Sequence, residues 1–291
     1  MERITYLGPQ GATFSELAYI ELARLFGAPS LNVGEIVLAG KNQDVLPLVF
    51  NHGGYGAIAM ETDAEGRVDG PVNTFIQLLR NCETSEDCPI TVIGAIKMPI
   101  SFALMVRPGV QKKDIRTVVA HPKALGACRN MVNCLVSDQE KIIESDSNGL
   151  AAEDVATKQK FSQAAALGPR VAADRYGLQI LEEACEDSPA TTTFFLLGPK
   201  SRPQVMQEVN RSLLVFRVKH EPGSLVKTLL PFSDAGLNLR QIHSLYTGKG
   251  QYDFAVEIEC GKDQEEDLVR AMYGSMRHMM CYVLFGPFPV V

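Results

Sequence analysis

The 291-residue sequence lacks any run of about 18 apolar residues, so we expect no membrane-spanning helix. It also lacks an apolar N-terminal segment of signal length, because residues 3–7 already have the pattern of a strand, and we therefore expect a cytoplasmic protein. Basic clusters are missing and the net charge is −6. That balance argues against a partner that is nucleic acid or a membrane surface.

Metal-binding spacings are missing as well. The sequence contains neither Cys-x-x-Cys nor His-x3-His, the common arrangements of zinc ligands. Its seven cysteines are an odd number, and without a secretory signal we expect reduced, mostly buried thiols. We therefore expect neither a metal site nor a cofactor.

Hydrophobic residues make up 46% of the chain and charged residues 21%, which is typical of a globular protein of one large or two ordinary domains. Strand and helix patterns alternate over the first two thirds, with short connections, and predict an α/β fold with parallel strands. The predicted strands are 3–7, 55–60, 117–120, 141–144 and 164–167, and the predicted helices begin at Phe14, Val45, Val72, Lys123, Ala151 and Arg170.

Two stretches define the organisation of the domains. Ile90 to Arg107 is apolar and contains Pro99, which fits one bent strand or two strands that carry the chain into a second lobe. Residues 198–203 are rich in proline and form the predicted domain boundary. The order β-α-β-β-α-β that follows is typical of a ferredoxin-like unit of about 80 residues.

Three strand-to-helix junctions suit a small anion: residues 8–15, 121–123 and 145–148. In parallel α/β sheets, ligands bind at the carboxyl ends of strands, where free N–H groups of helix N-termini favour negative charge. Carboxylates or phosphates are therefore the predicted ligands. His121 precedes Pro122, which favours a structural role in its turn.

The stretch Asp187 to Gly198 contains three consecutive threonines followed by Phe194, Phe195 and two leucines. β-branched and aromatic residues favour a strand. Its hydroxyls mark either a solvated strand start or the edge of a pocket.

Six motifs and the domain behind them carry a resemblance to a known family. The motifs are Tyr6-Leu-Gly-Pro-Gln-Gly-Ala-Thr-Phe-Ser15, Glu61-Thr-Asp-Ala-Glu-Gly-Arg-Val68, His121-Pro-Lys-Ala-Leu-Gly-Ala-Cys128, Ser145-Asp-Ser-Asn148, Arg175-Tyr-Gly-Leu-Gln-Ile-Leu181 and Ala190-Thr-Thr-Thr-Phe194. In their order they resemble prephenate dehydratase, the lyase that makes phenylpyruvate for phenylalanine synthesis. Residues 211–286, with Gly223-Ser-Leu-Val226 and Asn238 to Tyr246, are similar to the regulatory ACT domain of that family.

The resemblance implies a two-lobed, periplasmic-binding-protein-like catalytic domain over residues 1–199. Lobe one would comprise about 1–90 and 168–199, lobe two about 91–167, and an ACT domain would occupy 204–291. It implies prephenate as the substrate, L-phenylalanine as the effector, and a homodimer or homotetramer formed through the ACT domains. A plain dimerisation module without an effector is the alternative.

The resemblance also assigns residues. The resemblance makes Thr192 a catalytic residue, and Glu61, which could polarise a hydroxyl, is the second predicted catalytic residue. The predicted substrate-binding residues are Thr13, Phe14, Ser15, Arg67, Lys123, Ser147, Thr193 and Phe194. The implied effector-binding residues are Gly223, Ser224, Leu225, Val226, Asn238 and Ser244.

The chain departs from the family at the threonine motif, where Thr193 replaces the family's arginine. Lys123 and Arg67 are cations that the matching motifs do not require, and we expect Lys123, with Arg67, to replace the lost charge; solvated surface cations are the alternative. Three functions therefore stay open. They are a dehydratase with a rearranged anion site, a prephenate decarboxylase-type enzyme, and a non-catalytic phenylalanine-binding regulator.

Overall fold

The computed structural model describes residues 2–63, 66–136, 141–201, 208–248 and 250–291, with only the backbone of Gly66 and Arg67. The strands are β1 Arg3–Leu7, β2 Glu35–Ala39, β3 Tyr55–Thr62, β4 Gly66–Arg67, β5 Ile90–Ile100, β6 Ala103–Val106, β7 Thr117–Ala120, β8 Ile142–Glu144, β9 Ala164–Gly168, β10 Gln179–Glu182, β11 Ala190–Pro199, β12 Arg211–Val218, β13 Asn238–Gly248, β14 Gln251–Glu259 and β15 Met279–Phe288. The helices are α1 Phe14–Phe26, α2 Val45–His52, α3 Asp69–Gln77, α4 Pro122–Ala127, α5 Arg129–Leu135, α6 Asn148–Thr157, α7 Arg170–Tyr176, α8 Ser224–Asp234 and α9 Glu265–Met276.

The first 200 residues form two lobes, each built on its own sheet. Lobe one has the strand order β2-β1-β3-β11-β5, with β4 beside β3, and lobe two has the order β10-β6-β9-β7-β8. Strands β1, β2 and β3 are parallel, whereas β11 runs antiparallel to both β3 and β5. The α/β fold is therefore confirmed, with mixed rather than purely parallel sheets.

The predicted lobe limits need correction. Strand β5 belongs to lobe one because it pairs with β11, so the chain crosses into lobe two after residue 100 rather than near residue 91. Helix α7 and strand β10 stay in lobe two, since β10 pairs with β6, and only β11 returns to lobe one. Of the two options for Ile90 to Arg107, the structure has two strands.

Local signals place α1 as predicted. The Thr13 hydroxyl accepts a hydrogen bond from the Glu16 N–H, and Gly27 ends the helix in the left-handed conformation that favours glycine. The helix predicted to begin at Lys123 is instead two short helices, Pro122–Ala127 and Arg129–Leu135. They separate at Cys128, whose φ of −110° and ψ of 34° leave the helical region.

The strand predicted at 55–60 extends beyond its predicted end and pairs with a second short strand. Strand β3 continues to Thr62, and the backbone of Arg67 and Gly66 pairs with Glu61 and Thr62. Strands β2 and β10, which the sequence reading did not identify, lie at the outer edges of the two lobe sheets.

The C-terminal domain has the predicted ferredoxin-like order, β12-α8-β13-β14-α9-β15, and its sheet order is β13-β14-β12-β15. One face of this sheet packs against α8 and α9 through a core that includes Phe216, Val256, Phe232 and Leu268. The alternation of strand side chains sends the next residues, such as Val215 and Ala255, to the opposite face.

That opposite face packs on lobe one. Phe285 lies with its ring centroid 5.1 Å from that of Phe75, and Phe288 lies 5.1 Å from Phe195 of β11. Beyond β15, the Ala95 N–H of β5 donates to the Pro289 carbonyl at 2.8 Å, and the Val291 N–H donates to the Ala95 carbonyl at 3.0 Å. The C-terminal domain is thus joined to lobe one by a shared apolar core and by backbone hydrogen bonds.

Among the described helices, none combines the length and the hydrophobicity needed to cross a membrane. Over the same residues, no three His, Cys, Asp or Glu side chains are close enough together to hold a metal ion. All seven cysteines are free thiols, and six of them are buried, in agreement with the prediction of mostly buried thiols.

Candidate functional site

A cleft of about 770 Å³ separates the two lobes. Its walls come from the carboxyl ends of β1, β7 and β8 and from the ends of β3, β5 and β11 that face lobe two. This volume lies within the range of pockets for small molecules. The position at the carboxyl ends of parallel strands is the one the sequence analysis predicted.

Strand β11 presents alternate residues to the cleft. Ala190, Thr192 and Phe194 line it, and Thr192 is only 6% exposed. Thr193, 2% exposed, is absent from this wall and points to the rear of the sheet with Phe195, towards the C-terminal domain. The threonine stretch is therefore a pocket edge, and one of its hydroxyls faces the cleft from the middle of the wall.

A β-bulge changes the face on which Glu61 lies. On β11, Thr193 is opposite Glu61 and Phe194 is opposite Ala59, so Met60 is an extra residue on β3. Ala59 and Thr62 line the cleft, whereas Glu61 does not. Its carboxylate instead accepts hydrogen bonds from Arg240 and Gln241 of β13. Glu61 is thus a rear residue, and a direct catalytic role in the cleft does not fit its position.

The N-terminus of α1 forms one end of the cleft. Phe14 and Ser15 line it, whereas Thr13 caps the helix, and its hydroxyl donates to the Leu7 carbonyl at 2.8 Å. The preceding turn is held by a hydrogen bond from the Gly11 N–H to the Glu16 carboxylate. Burial raises the pKa of the Glu16 carboxyl, and the hydrogen bond from Gly11 opposes that rise. The same hydrogen bond fixes the shape of the turn beside the cleft.

Lobe two contributes two strand-to-helix junctions, at residues 121–123 and 145–148, and the Asn148 side chain connects them by a hydrogen bond. The Asn148 side chain accepts from the His121 N–H at 3.0 Å, while His121 Nδ1 accepts from the Lys123 N–H at 3.2 Å. Ser147 caps α6 by accepting from the Leu150 N–H at 3.1 Å. All four of the residues 121, 123, 147 and 148 line the cleft. His121 therefore has the structural role in its turn that its position before Pro122 predicted.

Among the described residues, the cleft is lined by three cations and three anions: Lys41, Lys123 and Lys158, with Glu144, Asp146 and Asp154. Lys158 and Asp154 form an ion pair at 2.7 Å. The cleft can therefore hold an anion by the N-termini of α1 and α6 together with Lys123 and Lys41.

The predicted site residues divide as follows. Phe14, Ser15, Lys123, Ser147, Thr192 and Phe194 line one cleft, and Thr13, Glu61 and Thr193 lie behind its walls. The Arg67 side chain is outside the described residues. For Thr13 the reason is its capping role, and for Glu61 and Thr193 it is the face of the sheet on which they lie.

The predicted effector residues are spread over the C-terminal domain. Gly223, with φ of 82°, caps the N-terminus of α8, and Asn238 follows the other end of that helix. The Asn238 amide donates to Glu259 at 2.7 Å, and Ser244 is exposed. Helix α8 separates Gly223 from Asn238 by about 16 Å along its axis, so one chain does not bring them together.

Sequence reasoning missed several residues of the cleft and its support. Asn42 ties the loop after β2 to β3, since its amide both donates to the Ala59 carbonyl and accepts from the Ala59 N–H, at 2.9 and 3.0 Å. Phe102 stacks edge-on against Phe14 with centroids 5.5 Å apart. No local pattern marks these contacts, because each joins segments far apart in the chain.

A two-lobed α/β fold with hydroxyls, lysines and helix N-termini around its cleft is suited to a small carboxylate-bearing molecule. The family model described as "Prephenate dehydratase" matches residues 4–202. The chain therefore belongs to the prephenate dehydratase family, a family of lyases.

Relatives and solved structures agree with this assignment. The prephenate dehydratase of Mycobacteroides abscessus is 30% identical over 261 residues, which cover 88% of this chain and 80% of the relative. That of Mycolicibacterium gilvum is 29% identical over 97% of this chain and 88% of its own. The structure of prephenate dehydratase from Arthrobacter aurescens in complex with L-Phe has a TM-score of 0.79 and 24% identity, and it covers 98% of this chain and 88% of that one. At 24% identity, the similarity to the Arthrobacter aurescens structure shows a shared fold only.

Proposed function

We propose that the chain converts prephenate to phenylpyruvate, CO2 and water, as a lyase of phenylalanine biosynthesis. The observation that carries this proposal is the Thr192 side chain on the cleft wall, in a cleft whose other residues suit carboxylates. Family membership supports it independently.

The proposed reaction needs no covalent bond between the protein and the substrate. The bond from the ring to its carboxylate breaks and releases CO2, and the electron pair enters the ring. The C–O bond at the opposite ring carbon breaks, so the hydroxyl leaves as hydroxide and takes a proton to become water. The Thr192 hydroxyl donates a hydrogen bond to that leaving oxygen, and the bond strengthens as negative charge develops there.

Both substrate carboxylates need donors. Ser147 and the first N–H groups of α6 lie on one side of the cleft, and Ser15 with the start of α1 lies on another. Lys123 adds a cation to the same cleft. In this proposal Lys123 takes over the role of a motif arginine, while Phe14, Phe102 and Phe194 give the ring an apolar wall.

The C-terminal domain is proposed to bind an amino-acid effector, with L-phenylalanine as the first candidate, because the structure of the Arthrobacter aurescens protein is a complex with L-Phe. Gly223 to Val226 and Asn238 lie at opposite ends of α8. A site that uses both sets therefore needs two chains. Apolar side chains of α8 and β13, namely Val226, Leu230, Ile242 and Tyr246, are more than half exposed and suit such an interface.

The proposed assembly is a homodimer or a homotetramer, and the proposed location is the cytoplasm, where free thiols persist. Analytical ultracentrifugation with and without L-phenylalanine tests the assembly. A monomer at micromolar concentration in both conditions would contradict the interface.

The activity is tested by incubating purified protein with prephenate. Phenylpyruvate absorbance in alkali and NMR of the products are followed together. Phenylpyruvate formation that Thr192→Ala slows by about 10²–10³-fold and Thr191→Ala retains would support the proposal. A decarboxylated, non-aromatic product would point to a decarboxylase instead. Absence of turnover, with L-phenylalanine raising Tm, would point to a regulator.

A further inference from the structure

A buried network of charges lies behind the catalytic wall, between lobe one and the C-terminal domain. Arg240 Nη2 donates to both carboxylate oxygens of Glu61, at 2.8 and 3.0 Å, and Gln241 Nε2 donates to Glu61 Oε1 at 2.7 Å. The Glu61 side chain is 11% exposed. A carboxylate buried to this degree depends on such partners for its charge.

The network continues into the C-terminal sheet. Arg240 Nε lies 3.7 Å from Glu257 Oε2, and Arg211 Nη1 lies 3.9 Å from Glu257 Oε1. The side chains of Glu257 and Arg211 are 3% and 8% exposed. Two carboxylates and two guanidinium groups alternate from β12 to β3, so the network is neutral only while Arg240 stays in contact with Glu61.

Two β-bulges aim the partners at each other. The extra residue Met60 turns Glu61 to the rear of β3. On β13, Leu239 is opposite Ile258 and Gln241 is opposite Glu257, so Arg240 is the extra residue there. Because bulged neighbours share a face, Arg240 and Gln241 both reach Glu61.

The contact sits directly behind the cleft. Thr62, the residue after Glu61, lines the cleft. Thr193, which is opposite Glu61, directly follows Thr192 on β11. A shift of Glu61 therefore moves the backbone on which both cleft hydroxyls stand. Arg240 and Gln241 lie outside residues 4–202, the part that the family model matches.

We propose that Arg240 and Gln241 are positioning residues, supplied by the C-terminal domain, which hold the Thr62 and Thr192 wall in its working geometry through Glu61. The proposal rests on the function proposed above. Loss of Arg240 leaves a buried carboxylate without a counter-charge, which is strongly unfavourable. Glu61 then moves towards water and takes the end of β3 with it, so the state of the wall depends on how the C-terminal domain is docked.

The test compares Arg240→Met with the double variant Arg240→Met/Glu61→Gln, in which no unpaired charge remains. We expect Arg240→Met to lower kcat for prephenate at least tenfold with KM changed less than threefold, and the double variant to recover kcat to within threefold of wild type. Arg217→Met is the matched control. Arg217 pairs with Asp253 within the C-terminal domain and is 26% exposed against 25% for Arg240.

Hydrogen exchange of the full chain gives a readout that needs no activity. We expect Arg240→Met to speed amide exchange in residues 58–63 and 190–194, and Arg217→Met to leave it unchanged. If wild type does not turn over prephenate, the proposed function fails while exchange still decides the positioning role.

Unchanged kcat and unchanged exchange in Arg240→Met would overturn the proposal. Equal changes in Arg217→Met would also overturn it. In either case Arg240 would only stabilise the contact between the two domains. Should Arg240→Met fail to fold, Gln241→Ala keeps all charges in place. It is expected to lower kcat about threefold with faster exchange in the same two segments, and no change in either would equally overturn the proposal.

Discussion

The two faces of β11 have different roles, although neighbouring residues such as Thr192 and Thr193 lie on opposite faces. On the cleft face, Thr192 and Phe194 meet the space between the lobes. On the rear face, Thr193 is 2% exposed, and Phe195 is fully buried against Phe75 of lobe one and Phe288 of the C-terminal domain. A single strand therefore separates the proposed chemistry from the packing that holds the two domains together.

The largest effect on the rear face is expected from Phe195→Ala. Its ring is fully buried between the two domains, and removal of such a side chain costs about 3–5 kcal/mol of unfolding free energy. Urea unfolding measures the loss. Tyr273→Ala, at a side chain that is 73% exposed, is the control and should stay within about 0.5 kcal/mol of wild type. Equal losses in both variants would contradict the rear face as the stabilising one.

On the cleft face, Thr192→Ala should lower kcat by about 10²–10³-fold, or about 2.7–4 kcal/mol, because a donor to the developing charge is lost. Thr192→Ser keeps the hydroxyl and should retain most of the rate. Stopped assays of phenylpyruvate formation measure both variants. An alanine variant with wild-type kcat would remove the proposed role of this hydroxyl.

A smaller effect on the cleft face is expected from Lys123→Ala. Loss of a carboxylate partner should raise KM for prephenate at least tenfold, which corresponds to about 1.4 kcal/mol. Lys113→Ala, at an exposed position away from the cleft, serves as the control. Unchanged KM in Lys123→Ala would show that this cation does not hold the substrate.

The smallest effect is expected from Thr193→Val. The variant removes a hydroxyl from the rear face of β11, where alternation keeps it away from the cleft, so kcat should change less than about twofold. A rate loss as large as that of Thr192→Ala would mean that both threonines reach the substrate. For the same reason, Thr193→Arg would place its guanidinium beside Glu61 and Arg240 rather than in the cleft.

Much of this arrangement follows from local sequence. Thr13 and Gly27 mark the two ends of α1, and alternation in the threonine stretch separates residue 192 from residue 193. Glu61 shows why the rest does not follow. Alternation from Ala59 would put Glu61 on the cleft face, and the bulge at Met60 reverses that assignment. A bulge depends on the partner strand, which no local pattern specifies.

The pairing of residues 289–291 with β5 has a consequence for self-association. An open sheet edge offers unpaired N–H and C=O groups to any neighbouring chain, and such edges lead to aggregation. In lobe one the edge at Ala95 and Lys97 is occupied by the segment that follows β15. The docked C-terminal domain therefore also keeps the catalytic sheet from recruiting strands of other molecules, and a chain that undocks it exposes a site for edge-to-edge association.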